Sequence, residues 1–129
     1  MKRKTTIATS ESVDFLHTVF EVFGPIATRR MFGGWGIYHD GLMFGLYFAG
    51  RLYLKTDTHN LQQFQLAGSE PFTYTQRGKP VQLSYWSAPE SVFDESEQAL
   101  RWSQIAWEAA RRKSVKNVKR ALETTDYLL

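Results

Sequence analysis

Residues 31–56 read MFGGWGIYHDGLMFGLYFAGRLYLKT, and this stretch decides the fold. Asp40-Gly41 stands between two apolar runs, which is a strong short-range hairpin signal. Ala49-Gly50 interrupts the next run in the same way. The pattern predicts three strands, Met31–Tyr38, Leu42–Phe48 and Arg51–Thr56, joined as an antiparallel meander. Gly33, Gly34 and Gly36 do not serve strand propensity, because glycine weakens a strand interior and is kept for a bulge or for close backbone approach. With Arg29 and Arg30 beside them they have a second reading as an anion cradle, since backbone amides freed of side chains bind anions. A Walker loop is excluded: no Lys-Ser or Lys-Thr follows, and the next element is a strand.

Before the meander, Val13, Leu16, Phe20 and Phe23 recur at helical spacing, with Ser10 as N-cap and Gly24-Pro25 as the stop. After it, Asp57 caps a helix that runs to Ala67 and ends at Gly68. Pro71–Thr75 and Pro80–Trp86 flank the polar turn Gln76-Arg77-Gly78-Lys79 and read as a second hairpin. Pro89–Phe93 makes one helical turn, and Asp94 with Glu97 has the spacing of a capping box for a long helix to about Arg112. On that helix Ala99, Trp102, Ile105, Ala106, Ala109 and Ala110 form one apolar face. Ser114 to Leu129 either extends it or forms a tail, because Val115, Val118, Ala121 and Leu122 keep a helical period among basic residues.

The order helix, three strands, helix, two strands, helix predicts a two-layer α+β domain, with a five-stranded antiparallel-rich sheet covered by helices on one face. Residues 1–112 make up the domain and 113–129 a basic helical extension or tail. The length of 129 residues suits one hydrophobic core, and the 15% aromatic content means aromatic rings dominate that core and any interface. The absence of cysteine excludes disulfides, thiolate metal sites and thiol nucleophiles. No apolar run follows the basic start Lys2-Arg3-Lys4, and none reaches the ~20 residues of a membrane span, so a cytoplasmic protein without membrane contact is expected.

No catalytic constellation is legible. His17, His39 and His59 are isolated, and none has a second ligand at metal-site spacing. Ser84 and Ser87 lack a nucleophile-elbow glycine context. Glu90, Asp94, Glu95 and Glu97 cluster at a helix N-terminus, where negative charge serves capping and the macrodipole. The expectation is a binding domain with no enzyme activity, no metal and no cofactor.

Three separated motifs carry a family resemblance: RRMFGGWGIYHDGLMFGL at residues 29–46, LYLKTD at 52–57, and AGSEPFTYTQRGKPVQLSYWSAPE at 67–90. Together with the Trp- and Ala-rich final helix, the chain from about Ser10 to Arg112 closely resembles the N-terminal domain of the TfoX/Sxy competence regulators. The resemblance implies a fold like that of type III secretion chaperones. It also implies a bacterial cytoplasmic regulator of natural competence and DNA transformation that helps the cyclic-AMP receptor protein, or other transcription machinery, activate DNA-uptake genes. Full-length regulators of this family carry a second, C-terminal helical domain, so the chain ending at Leu129 is expected to be a stand-alone N-terminal domain or a truncated piece.

Candidate contact residues follow from strand alternation. Taking Leu52 and Leu54 as inward places Arg51, Tyr53 and Lys55 away from the helices. In the last strand the same logic points Val81, Leu83 and Tyr85 in and Gln82, Ser84 and Trp86 out, and Met43, Gly45 and Tyr47 can join the outer face. Arg29, Arg30, Tyr47, Arg51, Tyr53, Lys55 and Trp86 are therefore candidates for a protein interface, including one with a second copy. The alternative is that Leu42–Phe48 is buried on both faces and its aromatics are core. Arg111, Arg112, Lys113, Lys116, Lys119 and Arg120 carry no acid among them. They are read either as a solvated helix end favoured by the dipole or as an arm for low-specificity nucleic-acid contact.

Overall fold

The computed structural model describes residues 13–31 and 33–128, with side chains as far as residue 123. The Ser10 cap and the Lys2-Arg3-Lys4 cluster lie outside the described residues. Helix α1 covers residues 13–19 and unwinds through turns to Gly24. Then come β1 (Ala27–Met31), β2 (Gly34–His39), β3 (Leu42–Phe48), β4 (Arg51–Lys55), α2 (Leu61–Leu66), β5 (Pro71–Gln76), β6 (Lys79–Ser87), α3 (Ser91–Asp94) and α4 (Ser96–Leu128). All strand pairings are antiparallel, and the order across the sheet is β1-β2-β3-β4-β6-β5. The α+β architecture stands as expected, with one strand more.

The sixth strand comes from splitting what the sequence presents as one. Gly33, at φ 81°, lies in the turn that folds β1 back on β2, pairing Met31 with Gly34 and Arg29 with Gly36. Ala27–Met31 is a polar edge strand, charged as edges usually are, so it shows no apolar alternation. Gly34 cannot carry a side chain, because an added Cβ would run into the Tyr47 carbonyl oxygen on β3. The glycines thus serve close strand approach. The three tight hairpins all place their two central residues at positive φ, Asp40-Gly41, Ala49-Gly50 and Arg77-Gly78, as two-residue type I′ turns require.

Helices α1 to α4 supply the covering layer. Leu16 of α1 and Phe20 in the turn after it, Phe64 of α2, Val92 of α3 and Trp102 and Ala106 of α4 pack with Ile37, Phe44, Leu52 and Leu54 from the sheet. Alanine at 99, 106 and 109 lets α4 lie close over β3 and β4. Glu95, in extended conformation, separates α3 from α4, so α4 begins at Ser96 instead of following directly on Asp94. At its other end α4 continues without a break past Arg112 to Leu128, so the extension is helix.

Two expectations about facing are corrected. Ile37 pairs with Gly45 but Tyr38 pairs with Met43, which leaves Phe44 as an extra residue in β3. A bulge of this kind shifts the alternation by one. Gly45 and Tyr47 therefore lie on the helix side, opposite Leu54 and Leu52, while Met43 stays on the outer face beside Gly36. On β6, Trp86 pairs with Leu54 and packs against the core, whereas Tyr85 pairs with Lys55 on the other face. The alternation assigned to β6 was inverted because both faces of the sheet carry large apolar residues.

That second apolar face is internal. Phe72 on β5 touches Phe48 on β3 at 5.3 Å and Tyr53 on β4 at 4.9 Å between ring centroids. In a flat sheet β3 and β5 would stand about 14 Å apart, at ~4.8 Å per strand step, so the sheet curls around these rings. Leu46 and Phe72 are buried there, and Phe44, Gly45 and Leu46 are consecutively buried in β3. The alternative reading of Leu42–Phe48 holds for its centre, Phe44 to Leu46, while both ends of the strand are half-buried.

Candidate functional site

The curled sheet breaks up the exposed aromatic face expected from alternation. Arg51 is exposed but joined to Glu70 at 2.9 Å, and it lies over the Tyr53 ring at 5.7 Å. Tyr47 packs edge-on against Phe15 of α1, and Trp86 packs on the core. Lys55 is only 5% exposed. Arg29 and Arg30 sit apart on the β1 edge, over the rings of Tyr38 at 5.4 Å and Trp35 at 5.0 Å. A shallow depression beside Arg29 also contains Asp40, so it carries both signs of charge.

The structure instead brings Lys55 together with the basic segment of α4. A groove of about 470 Å³ opens between the second half of α4 and the ends of β4 and β6. Lys55, Arg112, Lys113, Lys116 and Arg120 line it, and among the described residues Asp57 is the one carboxylate beside them. A second hollow of about 410 Å³ shares Lys55, Ser84, Lys113 and Asn117 with it and adds the more apolar Leu42, Met43, Leu83 and Val118.

Asp57 does not neutralise this groove, because it is already engaged. Arg112 grips both carboxylate oxygens, at 2.7 and 3.1 Å, and the backbone N–H groups of His59 and Asn60 donate to Oδ1. Burial pushes the Asp57 carboxyl up, but the Arg112 guanidinium and these N–H donors outweigh it and hold the pKa below the ordinary carboxylate range. Asn60 fixes the corner: it accepts from the Asp57 N–H and donates to the carbonyls of Lys55 and Ile105, tying β4, α2 and α4 together. Nothing in the sequence singles out Asn60, since its partners are backbone atoms as far as 45 positions away.

Among the described residues Lys55 has no acidic ion-pair partner. Its amine donates to Ser84 Oγ at 2.7 Å and lies 5.1 Å from the centre of the Tyr85 ring. Desolvation, with repulsion from Lys113, lowers its pKa to about 8. Strand alternation missed this because the rule sorts residues by face and says nothing of a helix crossing the strand end.

Helix α4 presents a different surface on its other side. Beyond Ala110 the body-facing positions are Lys113, Lys116 and Arg120, while Val115 and Leu122 lie about half a turn away at 100° per residue and Val118 stands on the flank between, edging the second hollow. These three are more than half exposed. Lys119, also exposed, borders that apolar stripe, as does Arg111, which pairs with Glu108.

A family model for the TfoX N-terminal domain matches residues 18–110. The chain belongs to the TfoX N-terminal domain family. Protein Sxy of Escherichia coli (strain K12) is 27% identical over 114 residues, which cover 88% of this chain and 53% of Sxy. The chain therefore spans about half the length of that relative. The TfoX match takes in the sheet, the buried half of α4 and Lys55, and ends where the apolar stripe of α4 leaves the core. Among the described residues no helix is long and apolar enough to cross a membrane, and no group of His and carboxylates could hold a metal ion.

Proposed function

We propose that this chain is a non-enzymatic, cytoplasmic regulatory domain that acts in competence or transcription control by docking a protein partner on the outer face of α4. The observation that carries the reading is the stripe Val115, Val118 and Leu122, exposed on a helix that overhangs the core. An amphipathic helix face read at i, i+3 and i+7 is a common anchor for helix-in-groove recognition. The flanking Lys119 and Arg111 select a partner whose apolar surface is rimmed by carboxylates, which steers encounter and disfavours basic competitors. Membership of the TfoX family supports a regulatory role and makes the cyclic-AMP receptor protein and RNA polymerase the first partners to try.

The test is direct binding of those two purified proteins, followed by sedimentation velocity. The double variant Val115→Asp with Leu122→Asp should weaken the complex at least tenfold, while Arg51→Glu leaves it intact. Loss through Arg51→Glu alone would move the contact to the sheet edge and overturn the assignment. So would a dimer of this chain that the α4 variant dissolves, since a second copy would then occupy the stripe. Binding of duplex DNA that competes with the protein partner and weakens steeply with salt would favour direct nucleic-acid contact by the basic segment instead.

A further inference from the structure

We propose that the groove between α4 and the ends of β4 and β6 is a binding site for a small organic phosphate, held by Lys55, Lys113 and Lys116. An ammonium taken out of water is costly unless it is paired, and proteins ordinarily pair it with a carboxylate. Lys55 is buried, yet the one acid nearby is committed to Arg112 through both oxygens. The ammonium has three N–H donors, and Ser84 Oγ takes one of them. Lys113 faces the same space and repels Lys55. Among the described residues no ion pair involves Lys55, Lys113 or Lys116.

A fold gains nothing from gathering like charges around a buried amine. A polyanionic ligand reverses that balance, because each phosphate oxygen accepts charge-assisted hydrogen bonds that are shorter and stronger than neutral ones. Burial first, and then repulsion from Lys113, depress the Lys55 pKa, and Asp57 offsets this only in part. The volume of about 470 Å³ suits a small metabolite, and ligand sites commonly fall within 300–1,000 Å³. The adjoining hollow supplies Leu42, Met43, Leu83 and Val118 for an apolar or planar body attached to the phosphate. A nucleotide combines both features. The backbone phosphates of a nucleic acid share the chemistry but would have to enter a short groove, one of whose cations is almost wholly buried.

The experiment is calorimetric titration of the full chain at low salt with ATP, pyrophosphate, inorganic phosphate and a short DNA duplex. ATP should bind at least tenfold more tightly than inorganic phosphate. Lys55→Met and Lys113→Gln should each weaken ATP at least tenfold, with melting curves confirming that both variants are folded. Lys79→Gln removes the same charge from an exposed position on the β5–β6 hairpin and should leave ATP binding unchanged. The proposal falls if no probe binds at millimolar concentration, or if Lys79→Gln weakens binding as much as Lys113→Gln. It also falls if the duplex binds more tightly than ATP and is insensitive to Lys55→Met, since the basic segment would then act as a diffuse polyelectrolyte. Because Lys113 is exposed and Lys55 is not, folding defects confined to the Lys55 variant leave the Lys113 result decisive.

Discussion

The two halves of α4 share a helical period and differ in phase. In the first half Ala99, Trp102, Ala106 and Ala109 advance by three and four residues and stay on the sheet. Continued, that rhythm falls on residues 113, 116 and 120, which are Lys113, Lys116 and Arg120. The apolar residues of the second half are two positions out of step: Val115 and Leu122 face the opposite way, and Val118 stands on the flank, edging the second hollow. One helix therefore docks with one side and, past Ala110, offers cations on that side and aliphatic groups on the other. Periodicity identifies a helix, and phase identifies what each part of it is for.

The first half should break hardest. Trp102 is buried and meets Phe64 edge-on at 4.8 Å. Trp102→Ala removes that contact and leaves a cavity, so urea denaturation should show a loss of about 3–5 kcal/mol. A loss under 1 kcal/mol would mean that α4 is not seated on α2 and the sheet.

The junction between the halves comes next. Asp57→Ala removes the acceptor for two backbone N–H groups and for Arg112, and should cost about 2 kcal/mol. The sign of its pH dependence follows from a carboxyl whose folded pKa lies below the ordinary value of 3.8. The folded state binds its proton less readily, so Asp57 stabilises fully above that value and its contribution disappears as pH falls below it. Parent and variant should therefore converge in stability in acid. A gap that stayed constant down to pH 2 would assign the effect to packing instead.

How much of this the sequence discloses depends on the range of the interactions. The hairpins were legible because Asp40-Gly41, Ala49-Gly50 and Arg77-Gly78 carry their instruction in two adjacent residues. The buried stripe of α4 was legible because helical spacing is local. Three things were not. The β1 strand is polar and short, the Phe44 bulge inverts facing without any residue that marks it, and the outer face of the sheet is apolar because the sheet curls on itself. Of the candidate contact residues, the basic segment was found as charge. Its meeting with Lys55 was hidden, since 56 or more positions separate Lys55 from the basic segment that begins at Arg111.

Lys55 gives a smaller effect of opposite sign. Its folded pKa of about 8 lies below the ordinary 10.5, chiefly through desolvation and then through Lys113, with Asp57 acting the other way. Below pH 8 the folded state must keep a charge that the unfolded chain holds more comfortably in water, and this lysine is destabilising. At about 1.36 kcal/mol per pKa unit, less the lost Ser84 hydrogen bond and Tyr85 contact, Lys55→Met should stabilise the domain by about 1–2 kcal/mol at pH 7. Between pH 8 and 10.5 the unfolded chain binds more protons than the folded one, so the parent gains stability and the advantage of the variant shrinks. An advantage that grew with pH would refute the assignment.

The second half of α4 should give the smallest change in stability. Leu122 is 62% exposed, so folding removes little of it from water and truncation leaves no cavity. Alanine is also the better helix former. Leu122→Ala should therefore shift the unfolding free energy by no more than about 0.5 kcal/mol, against several for Trp102→Ala on the same helix. The contrast is sharpest if both variants are measured over a range of protein concentrations. A loss above about 1.5 kcal/mol that deepened on dilution would show Leu122 buried against a second copy in solution, because only an associating species has a stability that depends on concentration. A loss independent of concentration would place the overhang against its own domain, and the difference in phase between the two halves would then have no partner to explain it.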